Sequence, residues 1–194
     1  MRIALLALIR SDLDSLYFDR IHKFIPIIHE KCYYQRTRPY SELISHTCLQ
    51  YAMWTLASAL SFQFHDLRDD LYRETLHMLG NTEPMSPGNA AAPQLEVAQA
   101  WILISIYDFT QVTFHSGWAS VGRAIRLIQL MRLNNVDASA HTDEPRDFIE
   151  CETKRRTFWV AFCLDRFTSI LEELPLALNE QTICTRLPSP EKYV

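Results

Sequence analysis

The most informative stretch of this chain is ECETKRRTFWVAFCLDR, residues 150–166. Residues three or four positions apart lie on one face of a helix. This spacing places two arginines and two aromatic residues on a single stripe, namely Arg155, Trp159, Phe162 and Arg166. Glu152 stands four residues before Arg156 and is predicted to pair with it. The stretch is therefore predicted to be a helix with one face of arginines and aromatic residues, which is not built for apolar burial alone.

The same spacing predicts two stacking contacts within this helix. Arg155 is expected to lie against Trp159 one turn later, and Arg166 is expected to lie against Phe162. A guanidinium over an aromatic face is a favourable and mainly structural contact. This interpretation is preferred over a nuclear localisation core or a phosphate contact at residues 154–156, because three charges are few and two aromatic residues follow them.

Three further stretches extend the pattern along the chain: YFDRIHKFIPIIH (17–29), WASVGRAIRL (118–127) and RLP (186–188). In this order, the four stretches resemble the fungal-specific transcription factor domain, the helical regulatory region downstream of a zinc binuclear cluster in fungal regulators. The resemblance covers residues 17–188. It implies a single regulatory domain over residues 1–194, and a nuclear, non-enzymatic regulator of RNA polymerase II genes for metabolism or secondary products.

The resemblance also implies a gating or sensing role for this region. A small-molecule effector is one expected partner, and homo- or hetero-association with related regulators is another. A ligand or regulatory pocket is expected to be lined by six residues, four from the stripe and two from the middle helix: Trp118, Arg123, Arg155, Trp159, Phe162 and Arg166. The family carries a Gly-Arg-Pro-like turn after its signature helix, whereas this chain has LEELP at residues 171–175. A contact to an anionic partner through that arginine is therefore not expected.

Composition independently favours an all-α fold. The chain has 194 residues, of which 48% are hydrophobic, which is enough for one domain with a sizeable core. It contains only four glycines and no Asn-Gly or Asp-Gly turn signal. We predict a single irregular bundle of about six helices with long loops. Ser11 and Ser41 are predicted N-caps, Gly80-Asn81 and Asn134-Asn135 are predicted helix ends, and residues 81–93 and 137–145 are predicted loops.

The predicted middle helix opens at Ser116-Gly117 and contains small residues that suggest a close helix contact. Ala119 and Gly122 have almost no side chain, so a neighbouring helix is expected to approach there. On this interpretation, a Gly122→Leu change disrupts packing.

The charge and the cysteines exclude a DNA reader within these residues. The net charge is −4, whereas a free-standing nucleic-acid binder carries a basic excess. The five cysteines lack a C-x-x-C spacing, and a zinc binuclear cluster needs six close together. We therefore expect reduced thiols in the helical core of an intracellular protein, no cofactor, no direct nucleic-acid contact, and a chain truncated at both ends relative to the family. By the family resemblance, its location is the nucleus.

Two other classes of protein fit the sequence less well. Residues 1–10 are apolar but too short to span a bilayer and lack a cleavage site, so neither secretion nor a membrane is expected. Asp66 and Asp70 have the spacing of a magnesium site in a small helical metalloenzyme, but no second acidic motif follows and arginines interleave. A solvated helix start is preferred. The remaining alternative is an interaction module that pairs with a full-length regulator, and missing neighbouring helices would leave apolar surface exposed for self-association.

Overall fold

The computed structural model describes residues 7–36, 44–82, 94–137 and 148–190. Over these residues the chain is helical and contains no strand. The α-helices are α1 (Ala7–Leu16), α2 (Glu30–Arg36), α3 (Ile44–Ala59), α4 (Arg68–Gly80), α5 (Leu95–Thr110), α6 (Phe114–Leu130) and α7 (Phe148–Glu172). A π-helical turn, Tyr17–Ile21, continues α1, and 3-10 turns occupy His65–Leu67, Leu133–Asn135 and Glu180–Thr182. The all-α prediction is confirmed.

The centre of the bundle is formed by α3 and α5, which pack on each other. Both helices are buried nearly all round, as expected for helices whose apolar residues do not keep to one face. α4 and α1 cover α3, while α6 covers α5. α6 is one-sided, with a buried stripe of Val121, Ala124, Ile125 and Ile128, whereas Trp118, which the sequence pattern also places on this stripe, is 47% exposed.

Two buried aspartates join neighbouring helices. Asp14 of α1 accepts hydrogen bonds from the Tyr33 hydroxyl at 2.6 Å and from the Trp54 indole at 2.7 Å. Asp108 of α5 accepts from the Tyr72 hydroxyl at 2.7 Å and from the Ser120 hydroxyl at 3.1 Å. Burial raises the pKa of both carboxyl groups, and the hydrogen bonds oppose that rise.

Several predicted boundaries are corrected. Ser11 is not an N-cap, because α1 already includes Ala7 and the Ser11 carbonyl accepts a bond from the Ser15 hydroxyl within the helix. α2 was not predicted, and α6 begins at Phe114 rather than at Ser116. The predicted N-cap Ser41 lies outside the described residues.

The predicted close approach at Gly122 is wrong. Gly122 and Ala119 are exposed, and a Cβ added at Gly122 would meet no atom within 4 Å. The tight position is Gly117, where an added Cβ would lie 2.5 Å from the Phe109 ring. That ring also stacks against Phe114 and Phe167, so it is held on several sides.

We expect the two glycines of α6 to respond in opposite ways to alanine. Gly117→Ala should lower the free energy of unfolding by about 1–3 kcal/mol, because the Phe109 ring must move from its packed position. Gly122→Ala should raise it by about 0.5–1 kcal/mol, because alanine favours a helix and has free space there. Urea unfolding followed by circular dichroism measures both. Equal effects of the two changes would contradict the assignment of Gly117 as the tightly packed glycine and Gly122 as the open one.

Candidate functional site

The charged face of α7 holds the segment that follows it. We call residues 173–190 the strap, because they run back along α7 without a further α-helix. Glu152 has no solvent exposure and lies at the centre of this contact. Its Oε1 accepts from Arg156 Nε at 3.2 Å and from the Ser189 amide at 2.7 Å, and its Oε2 accepts from Arg155 Nη1 at 3.1 Å. The predicted Glu152–Arg156 pair is thus confirmed, and the carboxylate also binds the strap.

Arg155 does not lie against Trp159 as predicted. It donates from Nε to Asp137 Oδ2 at 3.0 Å and makes a second bond from Nη2 to Oδ1 of the same carboxylate. Two charge-assisted hydrogen bonds to one carboxylate are stronger than a cation–π contact, which explains why Arg155 binds Asp137 rather than Trp159. Asp137 also accepts from the Arg186 amide of the strap at 2.8 Å.

The pKa values of this pair move apart. Hydrogen bonding to Arg155 holds the pKa of Asp137 below its ordinary value and raises that of the guanidinium. Because the Asp137 pKa is lowered in the folded state, the carboxylate stabilises the fold above its unfolded pKa. That contribution is lost as the pH falls through the folded pKa.

Arg156 joins two distant parts of the chain. Its Nη1 donates to the Pro26 carbonyl at 3.5 Å, and its Nη2 donates to the Ser189 carbonyl at 3.2 Å. One buried guanidinium therefore connects the linker before α2, α7 itself and the end of the strap. Nearby, the half-buried Trp159 donates from its indole to the Arg186 carbonyl at 2.8 Å.

The start of the strap is held by Asp165 and Arg166. The Asp165 carboxylate accepts from the Ala177 amide at 3.1 Å and from the Leu178 amide at 2.9 Å. Arg166 donates to Asp165 at 2.7 Å and to the Leu178 carbonyl at 2.9 Å. Its guanidinium carbon lies 4.1 Å from the centre of the Phe162 ring, which confirms the predicted stacking contact.

The strap begins at a residue with an unusual backbone. Glu173 has φ 54°, in the left-handed region that glycine adopts more readily than other residues. It lies within the LEELP stretch that replaces the expected glycine-containing turn. The chain therefore makes a left-handed turn after α7 with a glutamate.

A groove of about 540 Å³ opens between these elements. One wall comes from the linker before α2, one from α7, one from Ile106 of α5 and one from the strap. Its lining is mostly apolar and consists of Phe24, Ile25, Pro26, Ile106, Arg156, Trp159, Val160, Cys163, Leu164, Phe167, Pro188 and Ser189. Its volume falls within the ~300–1,000 Å³ of small-molecule pockets. The groove is thus a candidate site for an apolar ligand.

The structure does not bring the six predicted pocket residues together at this groove. Trp159 lines it, whereas Arg155, Phe162 and Arg166 lie where α7 contacts Asp137 and the strap. The two residues of α6 lie elsewhere. Trp118 is 47% exposed, and the Arg123 guanidinium lies 4.8 Å above the Trp101 ring. The sequence did not indicate the groove residues Pro26 and Ser189, because they contact Arg156 through backbone carbonyls, which every residue has.

The cysteines and the aspartates considered as a metal site can also be located. Cys48 is buried, but Cys163 and Cys184 are exposed, so the prediction that all thiols lie in the core is wrong. Asp70 pairs with Arg73 at the solvated start of α4. Within the four described ranges, no group of three or more His, Cys, Asp or Glu residues could hold a metal ion.

Among the helices that the structure describes, none is both long enough and apolar enough to cross a bilayer.

The fungal specific transcription factor domain matches residues 15–193. The chain belongs to this family of transcription factor domains. The family and its members are regulators rather than enzymes, and membership implies a nuclear role.

Similar proteins carry informative names. The chain is 48% identical over 184 residues to the pigment biosynthesis transcriptional activator pigB of Monascus ruber, covering 92% of this chain and 33% of that protein. It is 48% identical over 187 residues to the transcription factor tazR of Aspergillus terreus, with coverage of 95% and 29%. It is 46% identical over 185 residues to the tropolone cluster transcription factor tropK of Talaromyces stipitatus, with coverage of 95% and 33%. The chain thus spans about a third of the length of these relatives. No solved structure matches it.

Proposed function

We propose that this chain is the regulatory region of a nuclear transcription factor that controls the RNA polymerase II genes of a secondary-metabolite cluster. The observation that carries this proposal is the family match over residues 15–193, together with similar proteins named as activators or cluster factors. The net charge of −4 argues against ascribing DNA contact to these residues, so their role is to control a regulator rather than to read a sequence.

Gene replacement in the source organism tests this function. Deleting the gene should lower the transcripts of a contiguous group of biosynthetic genes, and reintroducing the unaltered gene should restore them. RNA sequencing of the three strains provides the measurement. Unchanged transcripts across all biosynthetic gene groups, under conditions in which the gene itself is expressed, would contradict the proposal.

We further propose that the groove along α7 binds an apolar small-molecule effector. Arg156 supports this idea because it joins the carbonyls of Pro26 and Ser189, which belong to opposite walls of the groove. A molecule that spreads or draws together these walls would act directly on the strap. The groove residues replace most of the six residues predicted from the sequence as the effector site.

A side chain that fills the groove should abolish the effector-dependent change in cluster transcripts without unfolding the protein. Cys163 is exposed and lines the groove, so Cys163→Trp is expected to occupy part of its volume while the core stays intact. Leu130 lies on α6, is 70% exposed and does not line the groove, which makes Leu130→Trp the matched control. In the Cys163→Trp strain, the effector-dependent change in cluster transcripts should be at least tenfold smaller than in the unaltered strain. The control strain should keep the full change. Equal transcripts in both strains, with equal protein levels, would exclude the groove.

A second candidate is an interaction module that associates with a related regulator. Exposed apolar side chains near the end of α7 favour it, with Phe167 at 46%, Ile170 at 79% and Leu171 at 52% exposure. Sedimentation of the chain alone and mixed with a related regulator would test this function. A monomer that forms no complex at micromolar concentration would exclude it.

A further inference from the structure

The strap is attached to the rest of the chain mainly through its own backbone. Its amides donate to the carboxylates of Asp137, Glu152 and Asp165. Its carbonyls accept from side chains of α6, α7 and the segment after α6, namely Gln129, Asn134, Arg156, Trp159 and Arg166. Among residues 173–190, all of which the structure describes, only Leu178 and Thr185 are buried. A strap that detaches therefore uncovers little apolar surface of its own, and an identical strap from another chain makes the same bonds.

The strap is joined to α7 by a short segment with a strained backbone. We call residues 173–176 the hinge, because they lie between the end of α7 and the first bonded strap amide, that of Ala177. The hinge begins with Glu173 at φ 54°, a conformation that is costly for a residue with a Cβ atom. Opening the hinge removes this cost. Short hinges under strain favour the exchange of an element between two identical chains.

The length of the hinge determines where a second copy has to lie. The Ala177 and Leu178 amides bind Asp165, and residues 173–176 bridge at most roughly 17 Å between α7 and that contact. A strap that crosses between copies therefore brings the ends of both α7 helices together. Exposed apolar side chains lie on both sides of the hinge, namely Phe167, Ile170, Leu171 and Leu176. The second copy would cover this apolar surface.

We propose that two copies of this chain exchange their straps, so that the strap of each copy binds α7 of the other. The exchanged dimer keeps each bond between strap and α7, relieves Glu173 in both chains and buries the apolar side chains beside the hinge. A two-fold axis lets both straps pair, so neither α7 face is left empty. This inference deepens the second function proposed above, association with a related chain, by naming the segment that crosses.

Cross-linking in a mixture of isotope-labelled and unlabelled chains tests the exchange directly. The two forms of the unaltered chain are unfolded together in urea, refolded at micromolar concentration and separated by size into monomer and dimer. A photoreactive cross-linker on the exposed Cys184 should capture residues beside Asn134, whose carbonyl accepts from the Cys184 amide at 2.8 Å. Cross-linked peptide pairs from the dimer should include pairs that join a labelled chain to an unlabelled one. The absence of a dimer, or a dimer in which these cross-links stay within one chain, would overturn the proposal.

A pair of hinge variants provides a second, independent measurement. Glu173→Ala and Glu173→Gly remove the same carboxylate, but only glycine adopts the left-handed backbone of the closed hinge without cost. Each dimer opens two hinges, so the association constant of Glu173→Gly should be at least tenfold lower than that of Glu173→Ala. Sedimentation equilibrium measures both constants. Equal constants would show that this hinge does not open and would contradict the exchange.

The outcomes separate this inference from the functions proposed above. A dimer that fails both tests excludes strap exchange but leaves association through the apolar end of α7 standing. A chain that remains monomeric excludes the exchange and leaves gene control standing, because gene control is measured from transcripts.

Discussion

Replacing Glu152 with alanine is expected to lower the free energy of unfolding by about 3–5 kcal/mol. The carboxylate is fully buried and satisfies Arg155, Arg156 and the Ser189 amide at once. Its removal leaves the Arg156 guanidinium in a buried position without its acidic partner, and an unpaired buried charge is the costliest result of breaking an ion pair. The effect should therefore be much larger than the loss of a surface salt bridge.

Equilibrium unfolding in urea provides the measurement, and Glu150→Ala provides the control. Glu150 lies two residues earlier on the same helix, its side chain is 59% exposed, and its partner is Lys154. This surface pair should contribute no more than about 0.5 kcal/mol. If the two variants lose similar stability, the buried pair does not hold the strap.

Replacing Asp165 with alanine is expected to cost about 2–4 kcal/mol and to release the start of the strap. Asp165 is 3% exposed and accepts from the amides of Ala177 and Leu178 as well as from Arg166. Alanine leaves these donors without their acceptor. The two amides should then exchange their hydrogens with solvent much faster, while amides in the α3–α5 centre change only with global stability.

Hydrogen exchange followed by mass spectrometry separates local release of the strap from a loss of global stability. Glu180→Ala is the matched control, because Glu180 also contacts Arg166, at 3.3 Å, but its side chain is 70% exposed. The control should keep the protection of residues 177–178. Unchanged protection of these residues in Asp165→Ala would show that the strap is held by other contacts.

The helices were predictable where the local pattern is strong. α7 carries residue pairs at helical spacing, so this helix was predicted from the sequence. α2 was missed because it has only seven residues and follows Pro26, which indicates a break. The N-cap prediction at Ser11 failed because serine also occurs inside helices, and packing of Leu13 and Tyr17 into the core determines where α1 runs.

The site was predictable only for contacts within one helix. Glu152–Arg156 and Phe162–Arg166 are four residues apart, and both were found. Asp137 is 18 residues from Arg155, in a stretch that reads as a polar loop, and this distant partner displaced the predicted stacking contact. His46 and Glu96 are 50 residues apart. Nothing in the local pattern of either residue indicates that they meet, so this contact could be found only in the fold.

The positions of the groove walls along the chain have a consequence for protein synthesis. One wall contains Pro26 and the other contains Ser189, and Arg156 bonds to both. A ribosome that adds about 5–20 residues per second needs roughly 10–30 s to pass from the first wall to the second. Helices α1 to α6 emerge and can fold within that interval, but the groove lacks one wall until the strap has emerged. An effector that needs this wall can therefore act only after the strap has left the ribosome.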